Sequence, residues 1–266
     1  MCATCGCDHD SNMLILKVDQ AKPLELSGIQ FKPGNLPVPG HGQSGRKQID
    51  LEQDILLRNN LKAERNRGYF LAKDILALNL VSSPGSGKTS LLEKTLGDLK
   101  GDLNFYVIEG DQQTTQDADR IAATGVPVVQ INTGKGCHLD SEMVGNAIEK
   151  LRPESNAVLF IENVGNLVCP ALFDLGEQHR VVIISVTEGD DKPLKYPDMF
   201  ASSDLCIINK TDLLSYVNFS CERVMEYGRR INHKLEFIEL SAITGQGMDE
   251  WYHWLKLKIN SNVLTV

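Results

Sequence analysis

The chain has 266 residues, 42% of them hydrophobic, a formal net charge of -8, 22 glycines and seven cysteines. That content can bury a sizeable core, while the acidic balance argues against a general nucleic-acid binder, which needs a basic face to displace counterions from phosphate. No apolar run approaches the roughly 20 residues that cross a bilayer, and the first residues lack the pattern of a secretory signal, so no membrane partner and a cytoplasmic location are expected.

The chain opens Met1-Cys2-Ala3-Thr4-Cys5-Gly6-Cys7-Asp8-His9. Three thiols this close can converge on one soft or borderline cation, with the Met1 amine, Asp8 or His9 completing the shell. Four-coordinate Zn²⁺ suits thiolates, and a planar site that includes the terminal nitrogen suits Ni²⁺. An odd cysteine count disfavours a full disulfide framework. From Gly28 to Gly45 the chain is rich in proline and glycine with little to bury, as a mobile linker would be, and His41 in it is expected to be solvated. Residues 1–48 are therefore read as a metal-binding segment and linker, and residues 49–266 as one nucleotide-binding domain. Ile49 to Ala72 then has apolar residues at Leu51, Ile55, Leu57 and Leu61 with charges between, which predicts an amphipathic helix packed on a sheet.

Continuous apolar runs follow at Ile75 to Val81, Leu103 to Ile108, Val126 to Ile131, Ala157 to Ile161, Val181 to Val186, Leu205 to Ile208 and Leu235 to Leu240. Runs without alternation mark strands buried on both faces. An α/β fold follows, a three-layer arrangement with a mainly parallel sheet between helices. Ligands in such folds gather at the carboxyl ends of the strands.

The first run leads into Ser82-Ser83-Pro84-Gly85-Ser86-Gly87-Lys88-Thr89, ahead of a helical stretch that starts at Ser90. This is the strand, phosphate loop and helix order of a nucleotide triphosphatase. Gly85, Ser86 and Gly87 let the backbone approach an anion, Lys88 reaches the β/γ-phosphates, Thr89 is placed to bind Mg²⁺, and Ser90 continues the cradle. Ser82 stands where the strict pattern has its first glycine. Glu109-Gly110-Asp111 closes the second run, with Asp111 placed to position water or a Mg²⁺-bound water; its competing role is helix capping. Glu162-Asn163-Val164-Gly165 ends the fourth, with Glu162 as a metal-side acid and Gly165 as a loop hinge. Asn209-Lys210-Thr211-Asp212 sits at another strand end, where Asp212 accepts from two guanine donors that adenine does not offer. Asn209 braces the loop and the Lys210 stem covers the base. The segment Ser241-Ala242-Ile243-Thr244-Gly245 can then supply a backbone amide to the guanine carbonyl, so GTP is favoured over ATP. No side chain identifies itself as a catalytic base or arginine finger, and slow hydrolysis is expected.

Gly136-Cys137-His138 and Cys169 lie on loops expected at the same sheet edge, and together, or with a second subunit, they can form a metal site. Cys206 and Cys221 read as core. With these motifs in hand the chain resembles HypB, the nickel-incorporation GTPases of nickel-iron hydrogenase maturation, within the SIMIBI class of P-loop proteins. The resemblance runs through the terminal cysteines, Asn79 to Thr89, Glu109 to Thr114, Gly136 to Asp140, Glu162 to Pro170, Lys195-Tyr196-Pro197-Asp198 and Asn209 to Asp212. Ser82 is what this family has. It implies a high-affinity nickel site at Cys2, Cys5 and Cys7, a weaker nickel or zinc site at Cys137, His138 and Cys169, and GTP-promoted homodimerisation. It also implies delivery of nickel to the hydrogenase large subunit with a HypA-type partner. The rivals are a GTPase for another metallocentre such as urease, and a nickel- or zinc-buffering protein in which nucleotide only supports the fold.

Overall fold

Six of the described strands are buried on both faces, so each must be covered twice, and the helices are divided between two layers to do so; a seventh, Glu236–Glu239 at one edge, is largely exposed. The computed structural model describes residues 14–17, 44–112 and 114–263. The elements in chain order are β1 (Leu14–Lys17), α1 (Ser44–Ala72), β2 (Leu76–Ser82), α2 (Lys88–Leu99), β3 (Phe105–Asp111), α3 (Gln116–Ala123), β4 (Val128–Asn132) and α4 (Ser141–Leu151). They continue with β5 (Val158–Glu162), a 3₁₀ turn (Cys169–Leu172), β6 (His179–Ser185), α5 (Lys192–Lys195), α6 (Pro197–Ala201), β7 (Leu205–Asn209), a second 3₁₀ turn (Thr211–Tyr216), α7 (Cys221–Ile231), β8 (Glu236–Glu239) and α8 (Met248–Val263). All seven expected strands are present.

The sheet runs β1-β4-β3-β5-β2-β6-β7-β8. Every pairing is parallel except that of β1, which adds an antiparallel edge on β4 with Leu14 opposite Asn132. That edge strand escaped the sequence reading, because four residues carry too little periodicity to stand out. Strand β2 sits between β5 and β6. The chain builds outward from β2 first toward β4 and later toward β8, so the loop after β2 opens at the reversal of strand order, where doubly wound sheets bind ligands.

Alternation along β2 divides the core. Leu76, Leu78 and Leu80 face α2 and α8 with Leu91, Leu96, Phe160 and Trp251, while Ala77 faces α1 and α4 with Phe70, Val144 and Ile148. A third cluster around Val182, Ile184, Phe200 and Val224 covers the β6–β7 side, and Cys206 and Cys221 are buried in it, as expected. Burial drives each to core use, and it pushes the Cys221 thiol up to about 12.

Helix α1 departs from expectation. It forms, and it begins at Ser44 rather than Ile49, but Ile55, Leu57 and Leu61 lie on its exposed side, at 41%, 59% and 68% accessibility. Its inward face is Asn59, Ala63, Asn66 and Phe70, at spacings of four, three and four. Asn59 donates to the Asp174 carbonyl and accepts from the Ser141 amide, and Asn66 donates to the carbonyls of Ser141 and Leu175. Buried amides that satisfy loop backbone thus select the face that an apolar count alone assigns wrongly. Cys2, Cys5, Cys7, His9, His41 and most of the Gly28 to Gly45 stretch lie outside the described residues. No helix is long and apolar enough to cross a membrane among the described residues.

Candidate functional site

The loop from Ser83 to Gly87 joins β2 to α2 and needs two left-handed residues, Gly85 at φ 75° and Gly87 at φ 90°. A Cβ on Gly87 would also lie 2.5 Å from Asn209 Nδ2. Asn209, the last residue of β7, donates to the carbonyls of Ser86 (2.9 Å) and Gly87 (3.5 Å), and its Oδ1 accepts from the Lys210 and Ala242 amides. One side chain therefore joins the phosphate loop, the Asn209 to Asp212 loop and the Ser241 loop. Lys210 Nζ reaches back to the Gly85 carbonyl at 2.7 Å. Asp212 Oδ1 is shielded from solvent with no hydrogen-bond partner among the described residues, an acceptor that suits a base edge offering paired N–H donors. Within the Ser241 to Gly245 segment the amides of Ser241 and Ala242 are committed to Gln246 and Asn209 inside the protein. Ser90 Oγ accepts from Arg120 at the surface of α2.

Lys88 Nζ and Thr89 Oγ1 both contact Glu162 Oε1, each at 2.6 Å, and the Glu162 side chain is fully buried. Glu162 Oε2 has no partner among the described residues. A hydroxyl and a carboxylate aimed at one point suit a hard oxygen-seeking cation such as Mg²⁺. Asp111, at the end of β3, accepts from the Thr114 amide and hydroxyl at 2.9 and 2.6 Å, which shapes the turn before α3; Thr115, not Asp111, is the residue that opens that helix.

Two residues of this neighbourhood were not singled out by sequence reasoning. Glu109 and Gln130 are opposite each other in register on β3 and β4, with Glu162 opposite Glu109 on β5, which sets three buried polar side chains in a row. Burial, and then the Glu162 charge, push the Glu109 carboxyl up to about 9, so it is neutral at pH 7. The available signal was a charged and an amide residue inside otherwise apolar strands.

In the loops after β4 and β5, Cys137 Sγ lies 2.8 Å from Cys169 Sγ and 3.7 Å from His138 Nδ1, and neither cysteine is in a disulfide. The three donor atoms fall within 4.8 Å of one another. Burial holds the His138 imidazole below its ordinary pKa, so it is neutral with a lone pair to donate. Asp140 caps α4 by accepting from the Met143 amide, which fixes the end of the Cys137 loop. Leu139 is fully buried against Gly110, where a Cβ would come within 2.8 Å of its side chain. The Cys137 loop thus leans directly on the backbone that presents Asp111.

Residues 76–239 match the model of the CobW/HypB/UreG nucleotide-binding domain. The hydrogenase maturation factor HypB of Escherichia coli K12 is 48% identical across 96% of this chain and 98% of its own length. This chain belongs to the HypB family. The HypB relative of Azotobacter chroococcum is 54% identical across 89% of this chain and 78% of its own. Two HypB crystal structures superpose on it. That of Helicobacter pylori HypB in complex with nickel gives a TM-score of 0.73 at 40% identity, over 77% of this chain and 96% of that one. That of Archaeoglobus fulgidus HypB gives 0.72 at 37% identity, over 76% and 99%. The HypB fold and its nucleotide-binding domain are therefore features of this protein.

Proposed function

We propose that this HypB-family chain is a GTP-hydrolysing nickel metallochaperone that serves the large subunit of a nickel-iron hydrogenase. The observation that carries this reading is the convergence of Cys137, His138 and Cys169 on loops that pack against both acidic strand ends of the nucleotide site. Two thiols and a neutral imidazole favour Ni²⁺ or Zn²⁺ over Mg²⁺ or Ca²⁺. A nickel complex of a relative at 40% identity supports nickel as cargo. Cys2, Cys5 and Cys7 form the tighter site, within a segment and linker spanning residues 1–48. Residues 49–266 form the body of the GTPase domain, to which α1 adds its start at Ser44 and Leu14–Lys17 adds an edge strand.

The geometry supports the following roles. Gly85, Ser86, Gly87, Lys88, Thr89 and Ser90 cradle the phosphates, and Asp212 reads the guanine edge from a loop that Asn209, Lys210, Ser241 and Ala242 hold in place. Thr89, Asp111 and Glu162 would hold Mg²⁺, which when bound neutralises charge between the β- and γ-phosphates. Lys88 must exchange Glu162 for phosphate oxygens when nucleotide enters, and that exchange frees Glu162 at the end of β5. Glu109, neutral and buried next to it, limits the negative charge of the cluster. The catalytic assignment is Lys88, Asp111 and Glu162, with slow turnover expected.

Two copies closing on GTP would bring two sets of Cys137, His138 and Cys169 together and fill a four-coordinate shell. A HypA-type chaperone would exchange nickel with this assembly in the cytoplasm. The test is a titration of the full chain with Ni²⁺ and with Zn²⁺, with GDP and with a nonhydrolysable GTP analogue, following mass as well as metal content. Metal affinity that differs between the two nucleotide states, with a dimer in the triphosphate state, is expected. Equal affinity in both would refute the coupling, and undetectable GTP turnover with partners present would favour a buffering role.

A further inference from the structure

The two loops of the thiol cluster are separated by 32 residues, yet their sulfurs meet, and a short chain of buried side chains accounts for it. Asn163, which follows Glu162 and is 1% exposed, occupies the centre of that chain. Its Oδ1 accepts from the Leu139 amide at 3.1 Å and from the Val164 amide at 3.0 Å, and its Nδ2 donates to Asn79 Oδ1 at 3.4 Å. Asn79, in the middle of β2, donates to Glu177 Oε1 at 3.0 Å. Glu177 pairs with Arg180 at 2.8 Å, and Arg180 donates to the carbonyls of Ala171 (3.1 Å) and Phe173 (2.9 Å), in and beside the 3₁₀ turn that begins with Cys169. The circuit closes across the site, because the Phe173 ring lies 3.9 Å from the His138 imidazole.

The links from Leu139 through Asn163, Asn79 and Glu177 to Arg180 are buried, so they do not exchange cheaply for water, and those from Arg180 to the turn are partly buried. Burial raises the Glu177 carboxyl, but Arg180, the Asn79 amide and backbone donors together hold it below its ordinary range, so it stays a carboxylate. One end of the chain thus grips the residue after Cys137 and His138, and the other grips the turn that carries Cys169. Its centre is bonded directly to Glu162, the carboxylate that releases Lys88 when nucleotide enters.

We propose that Asn163 is a positioning residue of the Cys137–His138–Cys169 cation site, setting the spacing of its two loops and conveying to them any movement of Glu162. This rests on the reading of that cluster as a cation site. Asn163 touches neither cation nor nucleotide. It acts through the Leu139 amide on one side and through Asn79, Glu177 and Arg180 on the other. Groups that orient ligands in this way change metal affinity by about 10- to 100-fold when removed.

The test uses the full chain with Cys2, Cys5 and Cys7 replaced by alanine, so that Ni²⁺ added alone reports the inner cluster. The probes are the thiolate-to-nickel charge-transfer band and the nickel affinity, each with GDP and with a nonhydrolysable GTP analogue. Asn163→Ala should weaken nickel binding by about tenfold or more, displace the band, and bring the affinity ratio between nucleotide states toward one, with GDP binding as the check on folding. Asn163→Asp keeps the acceptor for Leu139 but loses the donor to Asn79, so it should bind nickel more tightly than Asn163→Ala while its affinity ratio between nucleotide states stays near one. Asn79→Ala, one link away, should lower the nucleotide dependence in the same direction, and it carries the test if Asn163→Ala does not bind GDP. An unchanged band and affinity in Asn163→Ala, or an Asn163→Asp no better than Asn163→Ala, would overturn the proposal. If the parent chain binds no nickel that Cys137→Ala abolishes, the cation site itself is wrong and the proposal falls with it.

Discussion

Glu162→Gln offers a direct measure of the competition between protein and phosphate for Lys88. In the structure Glu162 Oε1 accepts from Lys88 Nζ and Thr89 Oγ1 at 2.6 Å each, inside a fully buried setting, so nucleotide must displace a charge-assisted bond. Such a bond is worth about 1.5–3 kcal/mol net, and each 1.4 kcal/mol is about a factor of ten in affinity. Replacing the carboxylate by an amide of the same shape removes most of that competition. GDP should therefore bind about 10- to 100-fold more tightly in the absence of Mg²⁺, while the gain in affinity on adding Mg²⁺ shrinks. The nucleotide-free fold loses its buried partner charge and should melt lower, a loss that bound GDP restores. Equilibrium titration with a fluorescent GDP analogue, in chelator and in excess Mg²⁺, reads both effects. A Mg²⁺-free affinity equal to or weaker than that of the parent protein would show that Lys88 does not need to leave Glu162.

Further outcomes follow from neighbouring geometry. Glu109 titrates near 4.5 when unfolded and near 9 when folded, so between those values the native state holds a proton the unfolded chain lacks, and stability falls as pH rises by up to about 1.4 kcal/mol per unit. Glu109→Gln should flatten that slope in thermal melts from pH 5.5 to 8.5, and an unchanged slope would mean that Glu109 is already ionised at pH 7. Gly110→Ala places a Cβ against Leu139 at 2.8 Å and should cost about 1–3 kcal/mol while weakening metal binding at Cys137 more than GDP binding, as measured by melts and nickel titration. Asp212→Asn should reduce GTP affinity by at least about tenfold and raise that for xanthosine triphosphate, whose ring carries an oxygen where guanine has its amino group; equal losses for both would point to misfolding of the loop.

The candidate site was legible where chemistry is local. The phosphate loop declares itself because glycine spacing and a following helix are properties of one continuous stretch, and Asp212 and Cys137 stand at the ends of apolar runs where ligands collect. The inward face of α1 was not legible. Ile55, Leu57 and Leu61 point outward because Asn59 and Asn66 satisfy loop carbonyls and amides that lie 75 to 115 residues further along. Nor could periodicity assign Glu109 or Gln130 to a shared row, since that depends on strand register. The same holds for the engaged Ala242 amide, whose partner Asn209 comes from another strand.

Sequence alone determined that seven apolar runs form strands, that a phosphate loop follows the first, and that thiols cluster near the chain start and again near two strand ends. These follow from hydrophobic runs and short-range backbone needs, which any stretch of chain carries with it. Tertiary structure decided the order of the strands, the antiparallel β1 edge, the grip of Glu162 on Lys88, and the bonds by which Asn163 and Arg180 hold the Cys137 and Cys169 loops together. Those contacts join residues tens of positions apart, and only the register and packing of the sheet bring them within hydrogen-bonding reach.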